Sequence, residues 1–232
     1  MPTGVLVNGI CVVIGGIFGG LFGKKLPKYI VDTLPNIFGI SAMSMGISLI
    51  VHVSSLSAVI LALIVGTLIG ETLHLETRIS SGLHRILCRN QQSDRQAEFM
   101  SVMISMIVLF GFSGTGVFGA LNSGFSGDHT ILFAKSILDF FTAIIFGATL
   151  GYAICITAVP QTTLGLILFF CSSSLLPLLT DPMIADFKAC GGMITFAVGL
   201  KMSKIKHYNV LNLVPALVLV MPFSYLWGLL PF

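Results

Sequence analysis

A lysine and an aspartate one helical turn apart, Lys135 and Asp139, stand in a chain that is 55% hydrophobic and only 9% charged. At i and i+4 on a helix the two can neutralise each other. In an apolar segment such a couple either is a structural ion pair or serves as a proton or cation coupling site. Upstream runs Ser113-Gly114-Thr115-Gly116, where hydroxyl residues alternate with glycines. Inside an apolar span this run frees backbone groups from the helix ladder, presenting amides to an anion or carbonyls to a cation. Its competing reading is a kink or a close-packing patch. A second charged couple, Asp186 and Lys188, precedes Cys190-Gly191-Gly192. Residues two apart do not face each other on a helix, so each needs its own partner, and Lys188 is expected to reach across the bundle to Asp139. Ser113, Gly114, Thr115, Gly116, Lys135, Asp139, Asp186 and Lys188 thus form the candidate substrate-binding or coupling set. Asn8, Glu71 and Asn212 are fainter candidates, each able to cap or to bond between helices. Asn122-Ser-Gly and Ser126-Gly-Asp128 carry turn chemistry, which makes Asp128 a loop cap.

Enzyme chemistry fits less well. GFSG occurs at residues 111–114 and 124–127, and GxSG is the serine motif of intramembrane rhomboid proteases. That mechanism needs a histidine base within a neighbouring span. His52, His74, His84, His129 and His207 all fall at span ends or in loops. Glu71-x-x-His74 has the spacing of one di-metal half-site but has no second copy. Cys11, Cys88, Cys155, Cys171 and Cys190 show neither metal-ligand nor redox spacing. Without a phosphate loop, a dinucleotide fingerprint or a basic-aromatic stripe, the expectation is a non-enzyme with no cofactor, no metal and no nucleic-acid partner.

The elements that must position these residues are membrane helices. Soluble domains carry roughly 25% charged residues, so this composition excludes a soluble globular protein. Eight apolar stretches have spanning length, about 17–25 residues: residues 4–23, 35–51, 56–73, 99–121, 136–159, 163–180, 183–200 and 210–230. The sixth holds Pro177 and the seventh Asp186 and Lys188, which makes them the weakest. The expected fold is all-α, a polytopic transmembrane helix bundle of seven or eight spans with a broken or re-entrant helix. It forms one transmembrane domain over residues 1–232, with three spans in 1–73, a cytoplasmic amphipathic linker at 74–98 and the rest in 99–232. With no basic n-region and no cleavage site, the first span is expected to be retained. Ten of the twelve basic residues fall in one set of loops, namely Lys24, Lys25, Lys28, Arg78, Arg85, Arg89, Arg95, Lys201, Lys204 and Lys206. The positive-inside rule puts those loops in the cytoplasm and both termini outside.

Along the linker, Leu75, Ile79, Leu83 and Ile86 share one helical face while Arg78, Arg85 and Arg89 lie elsewhere, which describes a surface anchor or a regulatory face. If the helix carrying Asp139 starts near Ile131, the carboxylate lies roughly 12 Å along it. At that depth it costs ~2.5–3.5 kcal/mol unless it meets a partner or water. Gly15, Gly16, Gly19, Gly20 and Gly23, with Gly66/Gly70 and Gly147/Gly151, give GxxxG spacings that let helices approach closely. Segment 17–23 (IFGGLFG) matches 145–151 (IFGATLG), and 38–49 loosely matches 187–200. These likenesses suggest an internal repeat, a habit of transporters.

The strings SGTGVFGA (113–120), GDHTILFAKSILDFFTA (127–143), DFKACGG (186–192) and NLVPALVLVMPFSYLW (212–227) carry a resemblance, together with IFG (37–39) and IGETLHLE (69–76). End to end the chain resembles the YqgA/YdfK-type bacterial inner-membrane proteins, the family of the domain of unknown function 554. The resemblance implies a multi-pass location in the bacterial plasma membrane and carries a transport label. It adds weight to Ser113, Gly114, Thr115, Gly116, Asp128, Lys135, Asp139, Asp186 and Asn212 as pattern positions without giving any a role. The resulting expectation is a secondary transporter or permease for a small solute or ion, working in the lipid bilayer as a homo-oligomer. The alternative is a non-transporting membrane scaffold or partner-regulated component, with an intramembrane enzyme third.

Overall fold

The structure, a computed structural model, describes residues 1–22, 27–87, 99, 103, 106, 107, 109–111, 113–175, 179–203, 205, 206 and 209–229. Gly23, Lys24, Lys25, Cys88, Arg89, Arg95, Pro177, Lys204 and His207 lie outside the described residues, as do the side chains of Lys28, Leu83, His84, Arg85 and Ile86. Among the described residues the regular elements are all helical: α1 (Thr3–Phe22), α2 (Lys28–Ile50), α3 (Leu56–Thr72), α4 (Leu75–Leu87), α5 (Gly114–Ser126), α6 (Thr130–Leu150), a 3-10 helix (Gly151–Thr157), α7 (Ala158–Leu175), α8 (Asp181–Met202), a second 3-10 helix (Val210–Leu213) and α9 (Pro215–Gly228). Five helical runs among the described residues are long and apolar enough to cross a membrane: Thr3–Phe22, Thr130–Ala148, Gly151–Ser172, Asp181–Met202 and Val210–Gly228. Asn36–Ile50 and Leu56–Thr72 are apolar but shorter. The chain forms two compact units, one from Met1–Thr33 and Thr77–Ser172, the other from Leu34–Glu76 and Ser173–Phe232.

In the first unit α1 and α6 run parallel in close contact, and the glycines of α1 explain how. A Cβ on Gly19 would lie 2.9 Å from the Cα of Gly147, and one on Gly4 would lie 2.9 Å from Leu132 Cδ1. Gly16 and Gly20 serve a different neighbour, since a Cβ on either would lie 2.7 Å from Ile154 Cγ2 or 2.8 Å from the Tyr152 ring. The staggered GxxxG registers thus seat α1 on α6 and on the 3-10 helix at once. Val12, Ile107, Phe110, Ala143, Leu150 and Ile154 fill the core between these elements.

Two helix ends differ from the sequence reading. The fifth and sixth spans were expected at 136–159 and 163–180, but α6 ends at Leu150 and the chain turns at Gly151. Gly151 takes φ 60°, ψ −146°, with open space where a Cβ would be. Only glycine occupies that backbone region readily, so Gly151 is a helix terminator and not a packing residue. Hydropathy could not show this, because the 3-10 helix that follows is itself apolar. Similarly, α5 continues through Asn122 to Ser126, and the turn is made by Gly127 (φ 69°). Asp128 accepts from the Thr130 N–H at 2.9 Å, the capping role its turn chemistry suggested.

In the second unit α2 crosses α8 antiparallel on small residues. A Cβ on Gly46 would lie 2.6 Å from Gly192 O, and one on Gly39 would lie 2.7 Å from Gly199 O. Gly66 of α3 meets Ala216 of α9, and Gly70 meets Asn212. The chain leaves α3 through His74, at φ 49°, and enters α4 by a fixed route. The Glu76 N–H donates to Asn212 Oδ1 at 2.9 Å, and the Glu76 carboxylate pairs with Lys201 at 3.1 Å. Asn212 is therefore a helix-end acceptor, one of the two roles its sequence position allowed. Both sequence likenesses join helices that pack on each other, α1 with α6 and α2 with α8. Close crossing favours small residues on both partners, which gives the glycines that meet, such as Gly19 and Gly147 or Gly46 and Gly192, a packing reason.

Candidate functional site

The buried face of α6 runs through Ile131, Leu132, Lys135, Ser136, Asp139, Thr142 and Ala143, so helical periodicity turns both charges inward. Lys135 is 4% exposed and Asp139 8%. Their salt bridge joins Lys135 Nζ to Asp139 Oδ2. The same oxygen accepts from Asn8 Nδ2 of α1 at 2.9 Å and from Gln161 Nε2 of α7 at 2.9 Å. Gln161 Nε2 also donates to Asn8 Oδ1. Three helices therefore converge on one carboxylate.

Opposite Asp139, the lysine reaches the end of a helical stretch. Residues 109–111 are helical, Ser113 is extended (φ −64°, ψ 139°), and α5 begins at Gly114. Ser113 Oγ accepts from the Gly116 N–H at 3.1 Å, an N-cap that starts the second helix. Lys135 Nζ donates to Phe110 O at 3.4 Å and lies 6.0 Å from the Phe110 ring centroid. Carbonyls at a helix C-terminus carry partial negative charge, so the ammonium is favourably placed there. Gly116 keeps this spot open: a Cβ would crowd Lys135 Cε and Ser113 Oγ, each at 3.0 Å. The SGTG run thus caps one half-helix and clears space for the lysine. Thr115 is buried beside it.

Next to the pair lies a cavity of about 10 Å³, bordered by Asn8, Phe110, Gly111, Gly116, Gln161 and Gly165 among others. Gln161 is 6% exposed, and its Oε1 has no hydrogen-bond partner. The site therefore combines a neutral ion pair with an unsatisfied acceptor and a small void.

Asp186 has a different occupation. It is wholly buried; Oδ1 accepts from the N–H groups of Ser54 and Ser55 at 2.9 and 2.7 Å, and Oδ2 accepts from Ser224 Oγ at 2.6 Å. Ser55 is the N-cap of α3 and its own side chain makes no capping bond. Asp186 supplies that cap from α8, and the positive end of the α3 dipole favours its charge. It ties α3, α8 and α9 together. Lys188 is half-buried in this second unit. Lys188, the partner expected for Asp139, belongs to this second unit, while Lys135, Asn8 and Gln161 of the first unit bond to Asp139. Of the candidate set, Ser113, Gly116, Lys135 and Asp139 come together with Asn8, while Asp186 serves the other unit.

Gln161 was missed. The expected break between spans placed it in a loop, although a Pro160-Gln161 step in an apolar run was an available signal. Asn8 was underrated for want of a visible partner. His129 Nδ1 and Ser123 Oγ stand 2.6 Å apart. Ser123 is 1% exposed and belongs to neither GFSG run, so this contact fastens the α5–α6 turn.

Fold and site together define an all-helical membrane protein that buries a hydrogen-bonded lysine–aspartate pair at a helix break. The chain belongs to the family described as "Protein of unknown function (DUF554)", whose match covers residues 3–225. It is 39% identical to "Uncharacterized protein YqgA" of Escherichia coli (strain K12) over 230 residues, 98% of each chain. It is 28% identical to "Uncharacterized membrane protein YdfK" of Bacillus subtilis (strain 168) over 221 residues, 93% of each. No solved structure matches.

Proposed function

We propose that the protein is a secondary transporter or permease that moves a small solute or ion across the bacterial plasma membrane, crossing it seven or eight times and working as a homo-oligomer. The observation that carries this reading is the Lys135–Asp139 pair, buried in apolar surroundings beside a broken helix. Ionised groups at membrane depth are costly and are kept where they face a pathway or each other. Here the two face each other, and the helix break and the unsatisfied amide beside them support a pathway at this point. Lys135 and Asp139 act as the coupling couple, Asn8 and Gln161 orient the carboxylate, and Ser113 to Gly116 form the wall beside the lysine.

The competing reading, a non-transporting membrane component, draws support from Asp186, whose three donors give it a wholly structural role. The Lys135→Met/Asp139→Leu double variant separates the two. Replacing a buried pair by apolar residues of similar volume is often neutral for folding. The full chain in proteoliposomes is assayed for uptake of labelled monovalent cations, inorganic anions and amino acids. Uptake above empty vesicles that disappears in the folded double variant supports transport. Uptake unchanged in that variant, or no uptake by the wild-type protein, favours the structural reading.

A further inference from the structure

We propose that the cavity at Gln161 is a binding site for one water-sized hydrogen-bond donor, either a water or the similarly sized ammonium ion. The proposal deepens the reading of this site as the solute's site, on which it rests. Three observations carry it. Gln161 Oε1 is a buried acceptor without a partner, whereas the Nε2 of the same amide is held by Asp139 and Asn8. A buried acceptor left unmade is costly, so a ligand that donates to it is favoured. The volume of about 10 Å³ matches one water-sized occupant and no more. Asn8 and Gln161 are the polar side chains among the residues that border the space. Lys135 is already committed to Asp139 and Phe110 O, and Gln161 Nε2 to Asn8 and Asp139, which leaves the Gln161 acceptor open. The occupant must therefore donate. It sits one amide away from the ion pair, on the side chain that also donates to Asp139.

Gly111 provides the test. It borders the cavity, it is helical, and a Cβ there would meet nothing closer than Gln161 Cα and N at 3.7 Å. The fold therefore accepts Gly111→Ala, and in an empty cavity the added methyl and the better helix propensity would stabilise the protein. If an occupant is bound, the methyl displaces it and strands Oε1, while Gly111→Ser restores a donor. Full-length wild type, Gly111→Ala and Gly111→Ser are melted in lipid nanodiscs in matched NaCl, KCl and NH4Cl. The expected order is a midpoint lowered by roughly 2–10 °C in Gly111→Ala and recovered in Gly111→Ser. A wild-type midpoint raised specifically by NH4Cl, and not so raised in Gly111→Ala, identifies ammonium. The same order without a salt-specific shift identifies water. Gly111→Ala melting at or above wild type overturns the proposal. Because melting reads the occupant and uptake reads transport, the two can fail separately. Lost melting order with intact uptake sinks only the bound donor, and absent uptake with intact order sinks only transport.

Discussion

Removing the carboxylate of Asp139 should harm folding more than removing the ammonium of Lys135, and the structure fixes the order. Asp139→Leu leaves an ammonium that is 4% exposed with a single oxygen partner, Phe110 O at 3.4 Å. Lys135→Met leaves a carboxylate that still accepts from Asn8 and Gln161, each at 2.9 Å. Breaking a buried pair by deleting one partner costs about 3–5 kcal/mol. Asp139→Leu belongs at the upper end and Lys135→Met below it, because two good N–H donors offset part of the lost attraction. For a chain of this size each kcal/mol moves the melting midpoint by roughly 2–4 °C, so Asp139→Leu should melt on the order of 10–20 °C below wild type. The double variant should recover most of that loss, since no uncompensated charge remains. Melting of all four proteins in lipid nanodiscs, followed by intrinsic fluorescence from Trp227, completes the cycle. The reasoning fails if Lys135→Met is the more damaging single change, or if the double variant melts below both singles.

Two further outcomes follow from the packing and from the second carboxylate. Gly19→Ala would push a methyl against Gly147 and Ile144 O. Overpacking of this kind costs roughly 1–3 kcal/mol, so the variant should melt several degrees lower, whereas Gly82→Ala, with open space around its Cβ, should not. Asp186→Leu strands the N–H groups of Ser54 and Ser55 and should cost at least about 2 kcal/mol, while Asp186→Asn, which keeps an acceptor, should lose less. Neither change should alter uptake per folded molecule, and a loss of uptake at an unchanged midpoint would make Asp186 a site residue after all.

Composition and periodicity alone determined the membrane class. Apolar runs of spanning length with few charges leave helices as the form that satisfies the backbone in lipid. The i, i+4 spacing of Lys135 and Asp139 likewise disclosed their pairing, because helix geometry makes it a local property. The break at SGTG was legible too, since alternating hydroxyl and glycine residues disfavour a continuous helix. Other features needed the tertiary structure. Asn8 and Gln161 lie 131 and 22 residues from Asp139 in the chain, and no spacing rule reaches across such separations. Gly15 and Gly16 differ by one position yet pack against different elements, which depends on how α1 is rotated in its unit. Asp186 looked like a companion to Asp139 because isolated charges in apolar sequence read alike. Only the placement of α3 showed that its carboxylate caps a helix start. Sequence thus determined which groups are costly to bury, and tertiary structure decided which neighbours offset each cost.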